Sequence, residues 1–262
     1  MTKTISIANQ KGGVGKTTTA ITMAAILKEK GFNVLLIDAD AQCNSTGTYG
    51  AQIEDEATLF DVILAKNTIE AIEAIQKTDK GDIIPGDYLM RNAEALLEGD
   101  VSRFRDKIEK LKGLDIYDYI IIDANPGLNT LLYNILVASD EVIIPVEPAK
   151  YSIEGLIQLR ETTESVQENE NKNLKIAGIL INKFNERTKL GMAARETFKV
   201  AADNFNTILF STEIRRSQKV PDAEADDMTL IEYAKGSTSA VDYISFVEEY
   251  LRSEDKNGNQ TK

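Results

Sequence analysis

The chain has 262 residues, 42% of them apolar, with a formal net charge of −12, a single cysteine and no histidine. That length suits one large α/β unit with a sizeable core, and one cysteine excludes an intramolecular disulfide framework or a cysteine cage held by one chain. Without histidine, the commonest general base and metal ligand is absent, and the acidic balance argues against coating nucleic acid with the whole surface, though not against a local basic patch.

Taken in order, the strand-like run TISIAN (4–9) is followed by a helical pattern over 16–30 and by the runs NVLLIDAD (33–40), GDIIPG (81–86) and YDYIIIDA (117–124). A helix is expected over 129–138, then the strand DEVIIPVEP (140–148), a helix over 153–169 and the strand LKIAGILINK (174–183). A helix over 189–204, a strand NTILFSTEI (206–214) and a helix over 237–252 complete the pattern. Near-continuous hydrophobicity, in place of strict alternation, is the mark of strands buried on both faces. The expected fold is α/β, a mostly parallel twisted sheet flanked by helices on both faces. No repeat or linker divides the chain, so residues 1–253 read as one domain and 254–262 as a polar, disordered tail. No apolar run of about 18 residues could cross a bilayer, and a soluble, cytoplasmic protein is expected.

The densest local signal is NQKGGVGKTTTA (9–20), a glycine-rich turn between a strand and a helix. Its Gly15-Lys16-Thr17 end matches the close of a phosphate-binding loop, although the first position of the usual pattern is not glycine. Gly12, Gly13 and Gly15 let the backbone curl so that its amides, together with those of Val14 and Thr18, point at phosphate oxygens at a positive helix end. Lys16 would neutralise β/γ charge and the Thr17 hydroxyl would join a Mg²⁺ ion, which calls for ATP and magnesium. Lys11 has no such task within its own loop.

Three carboxylates stand where strands end: Asp38 and Asp40 close VLLIDAD, and Asp123 closes YIIID. All three emerge at the carboxyl edge of the expected sheet, where open α/β folds bind ligands. Period-two alternation puts Asp38 and Asp40 on one side, so that one holds the metal's water shell and the other orients water, unless one merely caps a turn. Asn182, at the end of GILINK, either touches the adenine or ends its strand.

With these residues in hand, the sequence resembles the ParA/MinD class of deviant Walker A ATPases, and within it the ParA/Soj partition proteins. The likeness runs through IANQKGGVGKTTTAITMAA, VLLIDADAQCNST, YDYIIIDANPGLNTLLYNIL and VIIPVEPAKYSIEGL. The resemblance implies that Lys11 is the signature lysine, reaching across a nucleotide-sandwich homodimer to the partner's ATP. It implies that Lys16 acts in cis, that Thr17 binds the metal, that Asp40 positions or activates water and also helps hold the metal, and that Asp123 is the Walker B carboxylate. Two positions depart from the family pattern: Asn125 and Ala41 each stand where proline is usual.

Partition relatives bind double-stranded DNA non-specifically and work with a centromere-binding, ParB-like partner on the nucleoid. The corresponding basic residues here are Arg187 and Lys189 in NERTKL and Arg215, Arg216 and Lys219 in EIRRSQK. Asp222, Glu224, Asp226 and Asp227 dilute that patch, and an ordinary solvated face is the alternative. Phe184 and Tyr151 are isolated and offer no stacking platform for single strands. The chain opens directly on the first strand, so the expected DNA mode is sequence-independent. A MinD-like membrane-positioning ATPase would need a basic amphipathic C-terminal helix, whereas DYISFVEEYLRSEDKNGNQTK is acidic and then polar. A nucleotide-gated switch with little hydrolysis is the remaining alternative.

Overall fold

A computed structural model describes residues 2–66, 68–97, 99–127, 130–149 and 152–258. Seven strands form one sheet in the order β3-β4-β2-β5-β1-β6-β7, every pairing parallel except β3 with β4. In chain order the elements are β1 (Lys3–Ile7), α1 (Lys16–Glu29), β2 (Val34–Ala39), α2 (Asn44–Tyr49) and α3 (Leu59–Ile63). Next come β3 (Gln76–Lys77), β4 (Asp82–Ile84), α4 (Ala93–Leu97), α5 (Arg103–Lys112), β5 (Tyr119–Ala124), α6 (Thr130–Ala138) and β6 (Glu141–Val146). The chain continues through α7 (Ser152–Asn169), β7 (Lys175–Ile181), α8 (Lys189–Asn204), α9 (Lys219–Ala225), α10 (Leu230–Ala234) and α11 (Thr238–Gly258).

The continuous apolar runs are explained by two cores, one on each face. On β5, Ile120 and Ile122 enter one core and Ile121 the other, and Leu35, Ile37 and Leu36 of β2 divide in the same way. Helices α5, α6, α7 and α8 cover the first face through residues such as Phe104, Leu132, Leu156 and Phe198. The second face is covered by α1 and α11, through Met23, Leu27, Tyr243, Phe246 and Tyr250. Apolar side chains on both sides of every central strand make the sheet itself the middle layer of the molecule. Among the described residues no helix is long and apolar enough to cross a membrane.

Two expectations need correction. The run 206–214 does not form a strand of the sheet; it lies beside β7 through isolated bridges, Ile179 with Leu209 and Phe184 with Arg215. The ladder breaks because the amides of Ser211 and Thr212 donate to the carboxylate of Glu249 on α11 (2.7 and 2.9 Å) and not to a neighbouring strand. The C-terminal helix also runs five residues past 253, to Gly258. Residues 259–262 of the expected tail, and Asn129 at the start of the expected helix over 129–138, lie outside the described residues, as does Tyr151. Among the described residues six helices, α2 to α5, α9 and α10, go beyond those expected. Five of them have only five to seven residues, too few to display a helical period. In α5 a period is present, with Phe104, Ile108 and Leu111 on the buried side.

Gly178 on β7 fixes how closely the irregular segment approaches. A Cβ there would come 2.5 Å from Phe210, whose ring packs edge-on against Phe246 of α11. Overpacking a filled core costs about 1–3 kcal/mol, so Gly178→Ala should lower the denaturant midpoint clearly while the secondary structure content is kept. A midpoint equal to that of the wild type would show that Phe210 can move aside freely.

Candidate active site

The phosphate loop connects β1 to α1, and its shape depends on left-handed backbone. Gly13 has φ 76° and Gly15 φ 89°, a region that residues with a Cβ rarely adopt. Gly15 is constrained by space as well, since a Cβ would meet Asn182 Nδ2 at 2.7 Å. Asn182 is buried and its amide donates to Val14 O (3.0 Å) and Thr19 Oγ1 (3.1 Å). Thr19 Oγ1 in turn lies 3.1 Å from Tyr243 OH on α11. Asn182 thus braces the loop from the end of β7, a task neither sequence alternative named.

Above the loop the space is open: Cβ atoms built on Gly12 and Gly13 meet nothing within 4 Å. Lys16 is nearly buried, and its ammonium donates to Lys11 O (3.3 Å). Burial lowers its proton affinity, and the nearby charges of Asp123 and Asp40 oppose that by favouring the ammonium. Lys11 pairs with Glu147 Oε1 at 2.7 Å. Thr18, expected among the phosphate contacts, donates its hydroxyl to Glu224 of α9 (2.8 Å).

Strand register places Asp38 opposite Asp123 in the β2–β5 pair, and Asp40 follows directly after β2. Their environments then separate their roles. Asp38, fully buried, accepts from Thr46 N (2.8 Å), Thr46 Oγ1 (2.7 Å) and Asp40 N (3.1 Å), so it is the carboxylate that ties down the start of α2. Asp123, buried as well, accepts from Ser45 Oγ (2.8 Å) through one oxygen, while Oδ1 is buried with no hydrogen-bond partner. Burial pushes both carboxyls well above the ordinary range, and for Asp123 the adjacent Asp38 pushes further. Asp40 is half-buried, accepts from Gln42 N (3.0 Å) and lines a cavity of about 210 Å³ with Met90, Arg91, Leu131 and both pattern-breaking residues, Ala41 and Asn125.

These residues fit a nucleotide and its metal. A glycine loop opening on a helix N-terminus and a buried ammonium suit phosphate, and the partnerless Asp123 Oδ1, with the Thr17 hydroxyl bearing on the same carboxyl, suits a hard cation. Among the described residues no three acidic or sulfur ligands converge to hold a metal by themselves. Phosphate oxygens would have to complete the shell, as magnesium usually requires.

The basic candidates gather in part. Arg187, Arg215 and Arg216 line one groove of about 420 Å³ with Glu186 and Glu213. Arg215 is held by Asp242 through two hydrogen bonds (2.9 and 2.6 Å), and Glu213 is engaged by Arg195. Arg187, Arg216, Lys189 and Lys219 are exposed, Lys189 opening α8, and Lys219 lies 3.9 Å from Asp222 and over the ring of Tyr233. Phe184 is buried, with the Arg195 guanidinium over its ring. Glu147, Ser45 and Thr46 are site neighbours that the sequence reading passed over, and Glu224, which it took only as an acid diluting the basic patch, touches Thr18. Only Glu147, directly after a strand, carried a positional signal.

A sequence profile described as an AAA domain matches residues 2–176. The sporulation initiation inhibitor protein Soj of Bacillus subtilis is 36% identical over 255 residues, spanning 95% of this chain and 98% of that protein. The chromosome partitioning protein ParA of Caulobacter vibrioides is 32% identical over 258 residues, spanning 96% and 95%. Among solved structures, cobyrinic acid a,c-diamide synthase of Mycobacterium smegmatis with bound ADP and magnesium superimposes with a TM-score of 0.81 at 30% identity, covering 98% of this chain and 97% of that one.

Two buried carboxyls with raised proton affinity weaken the nucleotide-free fold. Above the ordinary carboxyl range near pH ~4, the native state binds these protons more tightly than the unfolded chain, so stability falls as pH rises toward the raised values. Asp123→Asn should therefore raise the melting temperature of the nucleotide-free protein at pH 7 by about 2–4 °C, roughly 1 kcal/mol, and flatten its pH dependence. The added stabilisation by magnesium with ATP should shrink. Calorimetry across pH, with and without Mg-ATP, checks both signs.

Proposed function

Because the chain belongs to the AAA-domain family of P-loop ATPases that includes Soj and ParA, we propose that it is a partition-type ATPase. It binds Mg-ATP, closes as a homodimer around two nucleotides and rests on duplex DNA without regard to sequence. A centromere-binding, ParB-like partner then stimulates a weak intrinsic hydrolysis and releases it, moving a plasmid or chromosome over the nucleoid. The observation that carries this reading is the convergence of Lys16, Asp123 and Asp40 beneath an open glycine loop at one edge of the sheet.

The chain's own groups divide the work. The loop amides from Gly12 to Thr18 and the Lys16 ammonium hold the phosphates, with Thr18 exchanging Glu224 for phosphate. Thr17 and Asp123 would hold the metal, with Asp40 acting on it through water; magnesium, when bound, neutralises charge on the phosphates. Asp40 orients the attacking water, and Lys11 reaches the partner's nucleotide. Asn182 keeps the loop in shape from below.

For DNA, Arg187, Lys189 and Arg216 are the groups in reserve, while Arg215 must leave Asp242 and Lys219 must leave Tyr233 to contribute. This groove favours the partition reading over a MinD-like one. The C-terminal helix supports the same choice, since Tyr243, Phe246, Val247 and Tyr250 are packed in the core and do not form a free apolar face.

Two variants test the reading. Asp40→Ala should still bind Mg-ATP but lose hydrolysis, on the order of a hundredfold for a lost water-positioning group, so that ATP dimers accumulate. Phosphate release and sedimentation measured together decide this, and normal turnover removes the proposed role. Arg216→Glu should leave ATP-driven dimerisation intact and weaken binding to unrelated duplexes alike, lowering the slope of log affinity against log salt by about one for each phosphate that is no longer neutralised. An unchanged slope moves the DNA face elsewhere.

A further inference from the structure

Lys11, Glu147 and Lys183 arrive from three neighbouring strands. Lys11 follows β1, Glu147 directly follows β6, and Lys183 follows β7; the three strands are parallel and adjacent, with β6 in the middle. Side chains placed just beyond their carboxyl ends must therefore meet. The central carboxylate sits between the two ammonium groups, 2.7 Å from Lys11 Nζ and 3.9 Å from Lys183 Nζ. The backbone below is fixed: Asn9 Nδ2 donates to Pro145 O (2.8 Å), Asn9 Oδ1 accepts from Lys11 N (2.9 Å), and Ser152 Oγ donates to Glu147 O (2.7 Å). Lys183 stands in left-handed backbone, φ 52°, and its ammonium also donates to Gly13 O in the loop.

We propose that Glu147 is a positioning residue for Lys11: a stand-in anion that parks this ammonium on its own subunit and must surrender it before the lysine can serve a neighbour's nucleotide. The inference rests on the reading of Lys11 as the lysine that acts across the dimer. A carboxylate presents Lys11 with the same kind of oxygen anion that a phosphate would. The parked state also keeps an unpaired positive charge from attracting free anions. Two like-charged groups, Lys11 and Lys183, share one carboxylate, so releasing Lys11 leaves Glu147 a remaining partner and no stranded charge.

The strength of the contact suits a latch that nucleotide can open. The Lys11 and Glu147 side chains are 32% and 25% exposed. A partly exposed pair of this kind biases an equilibrium only about two- to fivefold, and salt weakens it further. Several phosphate charges together with magnesium outcompete one carboxylate easily. The latch therefore sets the protein concentration at which dimers appear and leaves the finished dimer's chemistry alone.

The experiment measures dimerisation by sedimentation velocity with magnesium and a non-hydrolysable ATP analogue, for the wild type, Glu147→Gln, Lys11→Ala and the double variant. The affinity of each monomer for a fluorescent ATP analogue is measured below the dimerisation range. Glu147→Gln should dimerise at about two- to fivefold lower protein concentration, with unchanged monomer affinity, and the gain should vanish in the Lys11→Ala background and shrink at high salt. Glu147→Asp, which keeps the charge, should stay nearer the wild type. The latch is refuted if Glu147→Gln dimerises no more readily than the wild type while Lys11→Ala is defective. It is refuted too if the gain persists without Lys11, or if monomer affinity rises in step, since either outcome makes Glu147 a source of general repulsion. Should Lys11→Ala itself dimerise and hydrolyse normally, the reading of Lys11 across the dimer fails, and the latch falls with it.

Discussion

Two carboxylates buried opposite one another, Asp38 on β2 and Asp123 on β5, are the constraint around which this site is built. Parallel register leaves them no choice of place, and two like charges out of water repel strongly. The chain resolves the conflict by giving them different partners. Thr46 donates twice to Asp38, turning a potential ligand into the anchor of α2, and this in turn holds Ser45 where it reaches one oxygen of Asp123. The other oxygen of Asp123 is left without a partner. A buried acceptor with no donor costs stability in the nucleotide-free protein and becomes an asset only when a cation meets it.

The phosphate loop depends on the same sheet edge from the other side. Its left-handed glycines remove steric objections but do not hold the loop in shape; Asn182 does, through Val14 O and Thr19. From Thr19 the network passes to Tyr243, and so the last helix of the chain, packed on α1 through its aromatic face, supports the first loop. Glu249 on the same helix captures the amides of Ser211 and Thr212 and interrupts the pairing with β7 of the segment leading to Arg215 and Arg216. One helix thereby fixes both the loop and the approach to the basic groove. A rigid connection of this kind is a physical route by which nucleotide could bias the groove, with Thr18 and Glu224 as the contact nearest the phosphates.

What could be read from sequence follows the range of the interactions concerned. The sheet was legible because runs such as YIIID and VLLID can be buried on both faces only in a covered parallel layer, and the acids that end them mark its carboxyl edge. The glycine loop was legible because strand, turn and helix signals coincide within a dozen residues. Segment 206–214 was misread as a strand because its apolar run, ILF, is real, while the carboxylate that diverts its amides lies 38 residues further on. The bracing by Asn182, 168 residues from Val14, left no local trace either. Spacing could not tell Asp38 from Asp40; Thr46 does, by donating to one and not the other.

Charge follows a similar logic at the surface. A chain with net charge −12 can present a cationic face only if nearby acids are engaged elsewhere. In the groove Glu213 is paired with Arg195, which lessens its pull on Arg187 and Arg216, while Asp242 holds Arg215, itself exposed, in one place. At the nucleotide edge the pattern is inverted: Glu147 engages Lys11, and the positive group is the one withheld. In both places an intramolecular ion pair decides which charges an incoming phosphate meets first. Since exposed pairs are individually weak, both arrangements can be rearranged by a ligand that offers several negative charges at once, and both respond to salt. Under the proposed function, the nucleotide and the duplex would each meet a site whose resting electrostatics are set by single carboxylates.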